Sequence, residues 1–90
     1  MRSRYVAFAL RNAAYILATW HLSTRPASMD FAVGQAWLSL QIKSAHESGD
    51  SATVEFVARS RIGGAGCTLH ETSRFIRESG QWFYVDGAFA

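Results

Sequence analysis

The sequence predicts an α+β fold in which N-terminal helices pack across a curved, four-stranded antiparallel sheet. Three observations predict it. Apolar residues recur at helical spacing through the first twenty residues. After Trp37 apolar and polar residues alternate instead, the period of a strand with one buried face. Short stretches carrying Gly49, Gly63 and Gly80 interrupt that alternation as turns do. Helices first and a strand meander last give segregated layers. Short connections between adjacent antiparallel strands make 1-2-3-4 the simplest sheet order.

Residues 2–11 read as a first helix, with Tyr5, Phe8 and Ala9 at helical spacing and Ser3 as its starting cap. Asn12 is a break or a kink. Residues 13–20 form a second helical run with Ile16, Leu17 and Trp20 on one face, and the pattern leaves open whether the two runs are one bent helix. Residues 21–26 read as a turn, because Ser23, Thr24 and Pro26 favour non-helical backbone. Ser28 and Asp30 then cap a short third helix to about Gln35, weakened by Gly34.

In the first strand Leu38, Leu40 and Ile42 alternate with Ser39, Gln41 and Lys43. Residues 47–51, with Gly49 and Asp50, are a hairpin connection. Residues 53–62 put Val54, Phe56 and Ala58 on one face and Glu55, Val57 and Arg59 on the other. Gly63, Gly64 and Gly66 mark a flexible loop. Residues 68–77 alternate Leu69, Glu71, Ser73 and Phe75 against His70, Thr72, Arg74 and Ile76. Residues 78–81 are a tight turn, and residues 81–86 a fourth strand ended by Gly87.

Ninety residues make one domain, and an apolar fraction of 49% supports a real core. Three Trp, three Tyr and six Phe imply a compact aromatic interior or a lined cavity. The net charge is only +2, and eight of the nine basic residues are Arg. Arg2, Arg4, Arg11 and Arg25 precede any acid; they read as a solvated face, with phosphate contact as the alternative. The single cysteine, Cys67, excludes an internal disulfide and a CxxC zinc site, so neither metal nor cofactor is expected. It suits a reducing cytosol, and a cytoplasmic location is expected. No leader is visible. The apolar stretch over residues 5–20 is too short to span a membrane and is broken by Arg11 and Asn12.

The chemistry-bearing residues concentrate on the strands. Glu55, Arg59, Glu71, Ser73, Arg74, Tyr84 and Asp86 lie on segments that neighbour one another, where Glu and Arg pair across a ladder. A buried pair of that kind orients a polar or acidic ligand; on the open face it is a structural ion-pair network. His21 opens a Leu-Ser-Thr-Arg-Pro turn and is either a general base beside a pocket or a bond within the turn. With Glu71 or Asp86 a histidine makes a minimal acid–base pair. His70 and Glu71 are consecutive on a strand and point to opposite faces, which weakens a direct dyad. His46 is solvated beside a turn. Trp20, Trp37, Trp82 and Tyr84 line a cavity or pack the core. Cys67 has no activating neighbour, and the 63–66 glycines lack the Lys-Ser/Thr ending and following helix of a phosphate loop. The candidate ligand-binding set is Trp20, His21, Trp37, Glu55, Arg59, Glu71, Arg74, Tyr84 and Asp86.

Four segments carry a resemblance: MRSRY at 1–5, LATWHLSTRP at 17–26, ATVEFVARSR at 52–61 and LHETSRFIRESGQWFYVDG at 69–87. Their order and spacing resemble the central domain of the YchJ-like family of bacterial proteins. That domain is similar in fold to the nuclear-transport-factor-2-like superfamily, which includes SnoaL-like cyclases and ketosteroid isomerases. The resemblance implies a cone-shaped domain whose sheet curls around a pocket closed by helices, and a tendency to homodimerise. YchJ-like proteins usually carry a Cys-rich SEC-C motif at one or both ends. These ninety residues hold none, so the chain is a piece of a longer protein or a member without the motif. The resemblance implies a fold and no reaction. Three functions follow for comparison. A small-ligand binding or regulatory module asks least of the sequence. An isomerase- or dehydratase-type enzyme needs a His/carboxylate pair inside the pocket. A nucleic-acid accessory domain needs the early arginines clustered on one face, and the small charge excess disfavours it.

Overall fold

Two short helices lead the chain, α1 over Arg2–Ala9 and α2 over Ala13–Ala18. The computed structural model describes residues 2–29, 31 and 34–89. The two helical runs are separate helices, and the reason is local. Arg11 takes a left-handed backbone, φ 55°. Its N–H donates to the Phe8 carbonyl at 3.1 Å, and the Asn12 N–H reaches back to the Ala7 carbonyl at 2.8 Å. This double closure satisfies carbonyls that a helix end leaves open. Asn12 then caps the next helix, its side-chain oxygen accepting from the Tyr15 N–H at 3.2 Å. Ser3 is already inside α1 and is not its cap.

Beyond α2 the chain runs along the last strand. The His21 N–H donates to the Tyr84 carbonyl at 2.6 Å, and the Tyr84 N–H donates to the Thr19 carbonyl at 2.8 Å. Trp20 and Tyr84 thus form a parallel bridge. The third helix expected over residues 28–35 is not formed where it is described: Ser28, Met29 and Phe31 are not helical, and Gln35 already belongs to a strand. Asp30, one of its expected caps, lies outside the described residues.

The sheet has strands β1 (Gln35–Ser48), β2 (Ser51–Ile62), β3 (Ala65–Glu78) and β4 (Gln81–Phe89), all antiparallel, in the order β1-β2-β3-β4. It is open, with β1 and β4 as its edges. Each connection is a two-residue hairpin. Gly63 and Gly64 both take positive φ, as do Ser79 and Gly80. That is the primed turn whose twist matches a β-hairpin. The expected 63–66 loop is therefore a tight turn, with Ala65 and Gly66 already paired in β3. The fourth strand does not stop at Gly87; it continues to Phe89.

Three register shifts interrupt the pairing, between Trp37 and Ser39, between Ile42 and Ser44, and opposite Arg74 and Phe75. A bulge bends its strand and re-aims side chains. The first puts Leu38 in the bulge, 56% exposed, and corrects its place in the buried alternation: Trp37 takes the inward position opposite Ser60. The third pairs Tyr84 with Phe75 and Asp86 with Arg74, so Tyr84 and Asp86 face opposite sides although they are two residues apart.

The helices cover one face of the sheet. Its buried residues are Phe56, Ala58 and Ser60 of β2 and Glu71, Ser73 and Phe75 of β3, meeting Ala7 of α1 and Ile16 of α2. Burying Phe56 and Phe75 contributes about 1.5–3 kcal/mol each. Among the described residues, four of the nine buried ones are polar or charged, Arg4 and Glu71 included, so this interior holds polar groups as well as apolar packing. No helix among the described residues is long and apolar enough to cross a membrane.

Candidate functional site

Two buried charged groups on the inner face define the site. Arg4 lies one turn before Ala7 and Phe8 on α1, which turns it toward the sheet. It is 4% exposed. Its Nη1 donates to the Ile16 carbonyl at 3.2 Å and to Thr19 Oγ1 at 2.7 Å. Its guanidinium lies 4.6 Å from the Tyr84 ring centroid and 5.6 Å from that of Trp20, a double cation–π contact. Burial pushes the Arg4 pKa down, opposed by the attraction of Tyr84, Tyr15 and Glu71. A guanidinium starts so high that it stays charged at neutral pH.

Glu71 sits in the middle of β3. Ser73 Oγ and the Tyr84 hydroxyl both donate to its Oε2, the second at 3.5 Å. Burial pushes the Tyr84 hydroxyl up to about 12, helped by the negative charge of Glu71. Tyr84 is thus held as a hydrogen-bond donor. Gly87 of β4 pairs with Ser73, and a side chain there would overlap the Glu71 carboxylate. The glycine is what admits the carboxylate under β4.

Arg4 and Glu71 share a cavity of about 150 Å³ between helices and sheet. Tyr5, Phe8, Trp20, Met29, Trp37, Phe56, Ala58, Leu69, Ser73 and Tyr84 complete its lining. The rings meet edge to face: Tyr5 and Trp37 at 5.9 Å, Phe8 and Trp37 at 6.2 Å, Trp20 and Tyr84 at 5.0 Å. No ion pair joins Arg4 to Glu71. A second, wider cleft of about 490 Å³ lies toward the β1–β2 hairpin and shares Arg4 with the cavity; Tyr15, Thr19, Ala45, Phe75 and Trp82 are among its other walls.

The structure divides the residues singled out from sequence. Trp20, Trp37, Glu71 and Tyr84 line the cavity. Glu55, Arg59, Arg74 and Asp86 lie on the opposite face of the sheet, so the strand cluster is two clusters and not one. There Arg74 grips Asp86 with a two-pronged bond, Nε to Oδ1 and Nη2 to Oδ2, and both are exposed. That grip holds the Asp86 carboxyl below the usual carboxylate range and raises Arg74. His70 Nε2 lies 2.7 Å from Glu55 Oε2, and Ser44 Oγ donates to Glu55 Oε1 at 3.2 Å. Those two bonds, His70 first, keep Glu55 below the usual range. The only described histidine–carboxylate contacts are this one and that of His21, and both are outside the cavity.

His21 is occupied at both nitrogens. Its Nδ1 accepts from the Ser23 N–H at 3.1 Å, and its Nε2 lies 3.1 Å from Glu78 Oε1. It ties the 21–24 turn to the end of β3. Arg11 and Arg25 donate to the backbone carbonyls of Gln35 and Trp20, and Arg4 is interior, so these three do not share one exposed face. Among the described residues no cluster of three His, Cys, Asp or Glu suits a metal ion. Sequence reasoning missed Arg4, and left Ser73 out of the site. The signal for Arg4 was its place three and four residues before Ala7 and Phe8, on the helix stripe that packs.

Residues 1–87 match the family described as YchJ, middle NTF2-like domain. The chain belongs to this family. This YchJ middle domain is 60% identical over 88 residues to a UPF0225 protein of Polaromonas naphthalenivorans, covering 97% of the chain and 65% of the relative. It is 52% identical over 89 residues to a UPF0225 protein of Bordetella pertussis, covering 97% of the chain and 67% of the relative. The YchJ domain thus spans about two thirds of the length of the relatives it matches. Among solved structures it is similar to the solution structure of RPA3114, a SEC-C motif containing protein from Rhodopseudomonas palustris. The TM-score is 0.87 at 35% identity, over 100% of this chain and 75% of that one.

Proposed function

We propose that this YchJ middle domain is a small-ligand binding module, with the cavity between helices and sheet as its site. One observation carries the reading: a buried guanidinium and a buried carboxylate line the same apolar, ring-walled hollow without pairing to each other. Burying a charge is costly unless it is compensated, so a fold retains two such groups where they serve a purpose. A few polar groups in an apolar concavity are the usual form of a ligand site. A catalytic reading has less to stand on. The residues lining the cavity include no histidine, and Tyr84 is held protonated rather than poised to exchange a proton near neutrality. A cytosolic setting suits the exposed thiol of Cys67. The similar solved structure is that of a SEC-C motif containing protein, and we propose that the module works beside a further segment of that kind in longer proteins.

Native mass spectrometry of the purified protein tests the reading. It predicts an added small-molecule mass that disappears on denaturation and is absent in Ala58→Leu, where the larger side chain intrudes on the hollow. Bare-chain masses for both proteins, native and denatured, contradict it.

A further inference from the structure

The cavity's polar groups also specify what kind of molecule it takes. Arg4 offers donors only, and its Nη1 already serves Ile16 and Thr19; its other N–H groups have no partner among the described residues. Glu71 acts as an acceptor, with both incoming bonds on Oε2. The two groups flank one ring: Arg4 lies 4.6 Å from the Tyr84 centroid, and Glu71 Oε2 lies 3.5 Å from the Tyr84 hydroxyl. Yet no ion pair closes the space between them.

An anion in that space meets Arg4 favourably and Glu71 unfavourably, and a cation the reverse. A neutral edge with an acceptor beside an N–H donor satisfies both. The hollow of about 150 Å³ sets the size. A cavity of about that volume takes one benzene-sized ring. The walls of Trp20, Trp37 and Tyr84 favour a flat one. We infer that the cavity selects a small, flat, neutral lactam-type ring, its carbonyl facing Arg4 and its N–H facing Glu71. The inference rests on the reading of the cavity as a ligand site.

The test titrates the protein with three single-ring probes, 2-pyridone, benzoate and benzylamine, and follows the indole N–H signals by NMR. Trp20 and Trp37 line the cavity, whereas Trp82 lines the wider cleft and serves as control. The expected result is that 2-pyridone shifts Trp20 and Trp37 but not Trp82, and binds at least about tenfold more tightly than either charged probe. Glu71→Gln keeps an acceptor for Ser73 and Tyr84 while removing the charge. It is expected to cut the preference over benzoate to about threefold or less. Should that variant not fold, the wild-type ranking alone decides. Benzoate or benzylamine binding at Trp20 and Trp37 as tightly as 2-pyridone overturns the lactam assignment and leaves the ligand site standing. No shift at Trp20 or Trp37 with any probe overturns both.

Discussion

Gly87 is where the site is most sensitive to one atom. Its missing Cβ leaves the room that the Glu71 carboxylate fills. Gly87→Ala forces either the carboxylate or β4 to move, with an expected loss of about 1–3 kcal/mol in urea unfolding. Tyr84 gives a pH signature. Its hydroxyl titrates near 10 in an unfolded chain and at about 12 in the fold. Between those values the unfolded state gives up a proton that the folded state keeps, so stability falls as pH rises through that window. Tyr84→Phe is expected to flatten this alkaline decline, read as unfolding midpoints against pH alongside tyrosinate absorbance. Glu71 and Tyr84 were legible in the sequence as polar residues on alternating strands. Arg4 was not, because an arginine among early arginines reads as surface until the helix stripe through Ala7 and Phe8 is given more weight than charge. Arg74 was grouped with Glu71 by charge although alternation already sets them on opposite faces, and Asp86 was grouped with Tyr84 because a bulge at the β3–β4 pairing is invisible to strict alternation.

The break between α1 and α2 shows how an element boundary was half readable. Asn12 announces a cap by its chemistry, but nothing about Arg11 announces a left-handed backbone. A non-glycine residue there costs roughly 1–2 kcal/mol, part of which glycine recovers. Arg11→Gly is therefore expected to raise stability by about 0.5 kcal/mol, measured by chemical unfolding, despite losing the bond to the Gln35 carbonyl. The strands were legible because period two is unmistakable over residues 53–62 and 68–77. Leu38 was misplaced because a bulge adds a residue without changing composition. On the outer face His70 holds Glu55 low. His70→Gln is expected to return the Glu55 carboxyl toward its ordinary range in a carboxyl NMR titration, with the cavity-lining tryptophan signals unmoved. A shift of those signals would join the two faces that the sheet keeps apart.

The molecule as a whole divides its polar residues between two faces of one open sheet. One face is open to solvent and carries the Arg74–Asp86 and His70–Glu55 pairs; the other faces the helices and keeps Arg4 and Glu71 around a hollow. Layer order and strand order were readable from sequence, since they follow from period and turn chemistry. The hollow was legible only as an alternative to a filled aromatic core and through the family resemblance, because an empty volume depends on how side chains from α1, Trp20, Met29 and all four strands fail to meet. Ala58 is 2% exposed and lines that volume. In a filled core Ala58→Leu costs about 1–3 kcal/mol; over the hollow the expected cost is below about 1 kcal/mol, read from urea midpoints. Xenon tests the hollow itself, since it lodges against apolar cavity walls such as Phe56, Ala58, Leu69 and Trp37. Under xenon pressure the account predicts NMR shifts concentrated at Phe56, Ala58, Leu69 and Trp37, and lost in Ala58→Leu. Shifts confined to the surface, or equal in both proteins, would contradict it.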